Sequence, residues 1–355
     1  MKLIIQIPCL NEEETLPITL ADLPREIEGI DEIEILVIDD GSTDRTVEVA
    51  KEHGVHHIVS MTKRKGLAEA FMAGLDAAIK LGADIIVNTD GDNQYKGKCI
   101  PDLIKPILEG RADMVIGDRQ VDKVPHFSWF KKKLQKLGSW VVRHVSETSV
   151  PDAASGFRAY SREAALRLHV ISKFSYTLET IIQAGKKNIA TEFVKVETND
   201  KLRESRLFKS IPSYLKRSIG TILRIYTMYE PLKVFMQVGL AIFLLGVLIS
   251  LRFLYYFLFI DGGAGHIQSL ILSAVLMLIG FQVSVFGVLA DLIAGHRNLT
   301  ESVLYRVKKL EVNLLKLHED SKPAGVMTVN RPRQNRKKSS SRSQKRTSKS
   351  PAGDA

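Results

Sequence analysis

Cysteine is nearly missing from this chain. Its 355 residues hold two, Cys9 and Cys99, far apart and neither within a CxxC pair. That excludes a disulfide framework and a zinc site, and it fits a reducing compartment. Tryptophan is equally scarce, at Trp129 and Trp140. The N-terminus enters a strand-like run directly and shows no small-residue cleavage site, so no signal peptide is expected. No internal repeat stands out beyond a likeness between two amphipathic stretches. What the chain does have is apolar content, 45% of its residues and too much for a disordered protein, and a formal net charge of +10. That sign points to an anionic partner: phosphates, lipid headgroups or nucleic acid.

Composition divides the chain into three regions. The first, 1–120, alternates strand candidates (Leu3–Ile7, Ile33–Ile38, His57–Ser60, Ile85–Asn88, Met114–Gly117) with helical stretches (Glu12–Leu23, Asp44–His53, Leu67–Leu81, Ile100–Leu108). That alternation predicts a mostly parallel, doubly wound sheet, the α/β class that binds ligands at the carboxyl ends of its strands.

The second region, 121–232, is cationic and amphipathic. Phe127, Phe130, Leu134, Leu137 and Val141 make one apolar stripe, with Lys131, Lys132 and Lys136 away from it and the two tryptophans on its flank. Leu207–Tyr226 repeats the design, with Ile211, Leu215, Ile219, Ile222 and Leu223 against Lys209, Lys216, Arg217 and Arg224. Stripe, lysine and tryptophan together suit helices lying in a membrane interface.

The third region carries two apolar runs, Val234–Ile260 and Ile267–Leu289, interrupted only by Arg252. Each exceeds the roughly 20 residues that cross a bilayer core. The connector at 261–266 has no lysine or arginine, whereas the outer flanks are basic, so the positive-inside rule predicts a hairpin with both ends cytoplasmic. Arg252, near the connector, is expected to snorkel to the far headgroups. Leu299–Leu317 has a helical apolar pattern suited to the cytoplasmic face or to self-association. Beyond Ser321 the chain becomes a basic tail of disordered composition. Anionic lipid suits that tail better than nucleic acid, because it has no interleaved aromatics to stack bases.

The chemistry lies at the strand ends. In "DIIVNTDGDNQY" a buried run delivers Asp90, Asp92 and Gln94 in quick succession. Such hard oxygen donors suit Mg²⁺ or Mn²⁺, and a metal on Asp92 and Gln94 would bridge a diphosphate, with Asp90 toward a ribose. "VIDDGSTDRT" puts Asp39 and Asp40 at another strand end. Ser42 or Asp44 there is explained as a helix cap, but the adjacent acids are not, and a carboxylate can accept from the N–H groups of uracil or guanine. "IPCLNEE" adds Pro8, Asn11 and Glu12 to the rim, and Gly66 opens a helix where bare backbone can approach a nucleotide.

The set "PCLNEEE", "DDGSTDRT", "TDGDNQY" and "DAASGFRAY", followed by two apolar spans, resembles glycosyltransferase family 2, and within it the dolichol-phosphate mannose synthase and polyprenyl-phosphate glycosyltransferase group. The resemblance covers about 1–310. It implies a GT-A fold (Rossmann-like) and an inverting transfer of a hexose from a UDP- or GDP-linked donor to a polyprenyl or dolichyl phosphate at the cytoplasmic membrane face. Asp39 or Asp40 would contact the base, Asp90 the ribose or sugar, and Asp92 with Gln94 the metal. Arg119 would reach the phosphates, and Asp152 matches the acid where a base would sit. Arg203, Ser205 and Arg206 would close over the diphosphate and the acceptor phosphate. Lys131 and Lys132 stand where relatives often carry arginine, and Ser139 is a further candidate ligand for the lipid phosphate. Because a phosphate monoester has a second pKa near 6, the acceptor can attack without a general base.

The expected organisation is a catalytic domain over 1–232, with interface helices near 125–146 and 207–226. A hairpin over 233–290, a cytoplasmic helix over 291–320 and the tail over 321–355 follow. A homo-oligomer is conceivable by analogy. A processive polysaccharide synthase is the alternative enzyme, but no QxxRW motif surrounds either tryptophan and two spans are few for a channel. A non-catalytic membrane scaffold should show a broken acidic motif, and none is broken.

Overall fold

The computed structural model describes residues 1–120, 129–171, 176–200, 211–260 and 267–320. Expectations at Phe127, at Arg203, Ser205 and Arg206, at the 261–266 connector and over the 321–355 tail lie outside the described residues, as do the side chains of Lys131 and Lys132.

Among the described residues seven strands form one sheet: β1 (Lys2–Cys9), β2 (Glu32–Asp39), β3 (His57–Ser60), β4 (Ile85–Asn88), β5 (Met114–Asp118), β6 (Arg158–Ser161) and β7 (Thr191–Lys195). Their order is β3-β2-β1-β4-β6-β5-β7. All pairs are parallel except those of β6, which runs against β4 and β5. Central strands read as continuous apolar runs because both faces are covered, and β4 is buried at every position. On one face, Ile4, Ile38 and Ile86 pack with Phe71, Leu75 and Ile181 from α3 (Leu67–Lys80) and α7 (Tyr176–Lys186). On the other, Leu3, Ile5 and Val87 pack with Leu16, Val49 and Leu103 from α1 (Leu16–Asp22), α2 (Thr46–Glu52) and α4 (Ile100–Leu108).

All five expected strands and four expected helices of the first region are present. β6 and β7 went unread in the second, together with α6 (Arg162–Arg167) and α7. The amphipathic helices are α5 (Trp129–Ser146) and α8 (Ile211–Tyr229). They pack on α7 through Val145 and Ile225 against Ile182, with Val141 and Ile222 partly buried beside them. Trp140, Ile219 and Leu223 point outward, each more than half exposed.

Among the described residues two helices are long and apolar enough to cross a membrane, α9 (Pro231–Phe259) and α10 (Ile267–Asp320). Their outward faces are leucine, valine and phenylalanine. They pack antiparallel along small residues spaced seven apart, Gly239 and Gly246 against Ser273, Gly280 and Gly287. A Cβ at Gly239 would lie 2.7 Å from the Gly280 carbonyl, and one at Gly246 2.9 Å from that of Ser273, so the backbones touch. Arg252 is exposed on α9 with its guanidinium over the Tyr256 ring. Where the sequence suggested a span and then a separate cytoplasmic helix, α10 is one unbroken helix, about 80 Å long at 1.5 Å per residue. Its far half docks on the catalytic domain. Val312 is buried in the α3 side of the core, Lys80 pairs with Glu311, and the Tyr305 hydroxyl donates to Glu163 of α6.

Candidate functional site

The strand order brings the loaded sequences together. β1 pairs with β2 and β4, so "PCLNEEE", "DDGSTDRT" and "TDGDNQY" leave the same edge of the sheet. Because β6 runs backwards beside β4 with Asn88 opposite Arg158, the "SGFR" segment arrives at that edge too.

The first two loops staple each other. The Asn11 backbone N–H donates to the Ser42 hydroxyl (2.9 Å), the Asn11 side-chain oxygen accepts from the Thr43 N–H (2.8 Å), and the Glu12 N–H donates to Thr46 Oγ1 (2.8 Å). Pro8 is buried inside β1 opposite Ile38. Asp39 accepts from the Ser42 N–H at 2.9 Å. Asp44 takes the Thr46 N–H near the start of α2, whereas Ser42 serves the β1 loop instead. Asp40, expected as the alternative to Asp39 for the base contact, turns to the chain before α3 and accepts from the N–H groups of Lys65 (2.6 Å) and Gly66 (2.9 Å). The acid pair therefore divides its work: Asp39 borders the rim and Asp40 holds the loop that carries Gly66.

Asp90 stands at the centre. Its oxygens lie 3.2 Å from where a Cβ on Gly156 would be, and that Cβ would also meet the Tyr176 hydroxyl at 2.9 Å. The Gly156 peptide is pinned from both sides. Its N–H donates to the Tyr95 hydroxyl (3.0 Å), and its carbonyl accepts from Asn88 Nδ2 (2.9 Å) and the Tyr176 hydroxyl (3.2 Å). Tyr95 stacks on Phe157 at 5.0 Å, and burial pushes its hydroxyl up to about 12, so it stays protonated. Asn88, Tyr95, Gly156 and Tyr176 carry this arrangement and were not read as site residues. Three of them, Asn88, Tyr95 and Gly156, lay inside quoted stretches.

Asp92 is half-buried and accepts from the Gln94 N–H at 3.2 Å. The Gln94 carbonyl accepts from the Asn199 N–H at 2.9 Å, and Asn199 Nδ2 donates to the Asn93 carbonyl at 3.0 Å. The chain leaving β7 is thus tied to the acidic loop just before the stretch holding Arg203, Ser205 and Arg206. Among the described residues no cluster of three or more His, Cys, Asp or Glu side chains is arranged to hold a metal ion. The donor set at Asp90, Asp92 and Gln94 is all oxygen. It fits a small hard cation that takes one or two carboxylates from protein and the rest from phosphate and water.

Arg119, just past β5, and Asp152 form a buried bidentate pair: Nε to one carboxylate oxygen at 2.6 Å, a terminal nitrogen to the other at 2.9 Å. Burial alone pushes the Asp152 carboxyl up, but the guanidinium beside it more than reverses this and holds it below the ordinary carboxylate range. Ser139 on α5, expected at the lipid phosphate, is 5% exposed, and its hydroxyl accepts from the Ala153 N–H at 3.2 Å. It fastens the Asp152 loop to α5. Arg158 is fully buried and donates to the carbonyls of Ser155, Thr177 and Ala153 and to the Thr180 hydroxyl, so it fixes the same loop from beneath.

Fold and site together define a Rossmann-like α/β protein with an acidic, phosphate-suited rim. The profile of glycosyl transferase family 2 matches residues 4–168. The dolichol-phosphate mannosyltransferase of Pyrococcus furiosus is 30% identical over 272 residues, covering 72% of this chain and 72% of that protein. The undecaprenyl-phosphate mannosyltransferase of Micrococcus luteus is 28% identical over 204 residues, 55% of this chain and 82% of that protein. Glucosyl-3-phosphoglycerate synthase of Mycobacterium tuberculosis, crystallised with Mn²⁺, UDP and glucosyl-3-phosphoglycerate, superposes with a TM-score of 0.49 at 21% identity, over 64% of this chain and 78% of that one. The chain belongs to glycosyltransferase family 2, and it is a glycosyltransferase.

Proposed function

We propose that the enzyme transfers a hexose from a UDP- or GDP-linked donor to a polyprenyl or dolichyl phosphate held in a membrane, with inversion at the anomeric carbon and with the catalytic domain and both chain ends cytoplasmic. The observation that carries this reading is the pairing, in one chain, of the Asp90–Asp92 rim with α9 and α10, two helices suited to a bilayer. Relatives named for undecaprenyl-phosphate and dolichol-phosphate mannosyl transfer support the acceptor class.

Asp39 faces the base, and Asp40 acts one step back by holding the Lys65–Gly66 backbone in place. Asp90, seated over Gly156, orients the ribose or sugar. Asp92 and Gln94 would hold Mg²⁺ or Mn²⁺, which when bound neutralises the departing diphosphate. Arg119 spends its Nε and one terminal nitrogen on Asp152 and offers the remaining arm of the fork to the donor phosphates. Asp152 is a positioning residue, because Arg119 engages both of its oxygens and burial removes it from solvent. No proton needs an enzyme base. The acceptor phosphate oxygen bonds to the anomeric carbon, the carbon–oxygen bond to the nucleotide breaks, and the diphosphate leaves with the electron pair. Arg203, Ser205, Arg206, Lys131 and Lys132 are the proposed contacts of the two phosphate groups. Trp140, Ile219 and Leu223 rest α5 and α8 in the headgroup layer.

The test incubates membranes carrying the protein with radiolabelled UDP-glucose, UDP-N-acetylglucosamine or GDP-mannose, polyprenyl phosphate and Mg²⁺. Acid-labile label in the organic phase, from one donor, is expected. No labelled lipid from any of them would refute the acceptor.

A further inference from the structure

Two consecutive lysines at the end of α7 grip both apolar helices. Lys186 Nζ lies 2.8 Å from Glu230, where α8 hands over to α9, and 2.7 Å from Glu147, just after α5. Lys187 Nζ lies 2.9 Å from Glu301 on α10. The Lys186–Glu230 and Lys187–Glu301 pairs are not loose surface pairs, whereas Glu147 is 67% exposed. The lysine side chains are 12% and 18% exposed and Glu301 is 16%. Lys187 also donates to the Arg167 carbonyl at 2.8 Å. Arg297 closes the cluster, donating to the Met228 carbonyl at 3.0 Å with its guanidinium 3.9 Å over the Tyr229 ring.

The other end of α7 is the site. Tyr176, its first residue, donates to Gly156 beneath Asp90 and stacks on Phe71 at 4.0 Å. Every residue from Tyr176 to Ala184 is buried, so α7 is a rod inside the catalytic domain with the active site at one end and the clasp at the other. Because α10 is unbroken, a contact at Glu301 fixes the rotation of the whole helix.

We propose that Lys186 and Lys187 are positioning residues that set the height and tilt of the catalytic site over the bilayer, so that transfer to a membrane-held phosphate depends on them and transfer to a soluble phosphate does not. This rests on the membrane reading above. The cost of misplacement falls on reach: a site raised by a few ångströms no longer meets a phosphate whose lipid chain stays in the bilayer, whereas a freely diffusing phosphate still enters it.

The experiment uses the full chain in vesicles and the nucleotide sugar that labels lipid in the preceding assay. Transfer to C55 polyprenyl phosphate in the bilayer is compared with transfer to water-soluble citronellyl phosphate. Lys186→Met/Lys187→Met should lose about tenfold in kcat/KM with the C55 lipid, mostly in KM, and less than twofold with citronellyl phosphate. UDP and GDP binding should be unchanged, and Lys186→Arg/Lys187→Arg should restore the lipid reaction. Equal losses with both acceptors, or no loss with either, would overturn the proposal. Wild-type protein labelling no lipid would instead refute the acceptor assignment, so the two failures are distinct.

Discussion

Arg119 and Asp152, 33 residues apart in sequence, meet as a two-pronged ion pair with side chains only 7% and 1% exposed. Removing one partner strands the other's charge in a dry site, a loss of about 3–5 kcal/mol in comparable pairs. Asp152→Asn should lower stability by that order and cut turnover at least a hundredfold. Thermal unfolding and initial rates check both.

The same pair fixes the pH behaviour. The folded-state value of Asp152 is depressed, so its stabilising contribution is complete above the unfolded value near 3.9 and is lost as pH falls through the lower folded value. Between pH 5 and 8 Asp152 stays ionised. The acid limb of the rate should therefore follow the acceptor phosphate, rising through about pH 6 and then levelling. A rate profile with a limb that moves when the acceptor is changed to a phosphonate of different pKa would agree. A limb indifferent to the acceptor would contradict it.

Gly156→Ala places a methyl group 2.9 Å from the Tyr176 hydroxyl and 3.2 Å from both Asp90 oxygens. The expected result is a rise in donor KM of at least tenfold. Tyr176→Phe in the same chain should recover part of the loss, because the nearest clashing atom has gone. Donor titrations of the single and double variants decide it.

Asp40→Asn weakens the grip on the Lys65 and Gly66 N–H groups, because an amide oxygen is a poorer acceptor than a carboxylate. Faster amide exchange at 65–66 and a several-fold higher nucleotide KM should appear together, with kcat nearly kept.

Chelation should stop transfer, and Mn²⁺ or Mg²⁺ should restore it. Asp92→Ala should remain inactive at any concentration of either ion. Full-rate turnover in EDTA would remove the metal from the reaction.

The N-terminal half of the fold was legible because its strands are continuous apolar runs punctuated by helices, a signal carried locally. β6 and β7 were not. β6 opens on the buried charge of Arg158, whose partners are mostly backbone carbonyls that no sequence pattern announces. β7 is an edge strand with four half-buried residues and one exposed, and it mixes charge with apolar groups. The join in α10 looked like a break because Asp291, Gly295, His296 and Arg297 interrupt the apolar run. Tertiary docking at Glu301, Tyr305 and Val312 accompanies a helix that local sequence would end. In the site, the acids were visible as chemistry, but their division of labour was not. That Asp40 faces the Lys65–Gly66 turn before α3, and that Asp152 faces Arg119, follows from chain crossings that spacing cannot reveal.

The glycine seam between α9 and α10 has a corollary for traffic. Backbones in direct contact leave no slot into which a sugar or a prenyl chain could slip. On the proposed reading, a lipid acceptor approaches around the outside of α9 and α10, and its loaded form departs the same way.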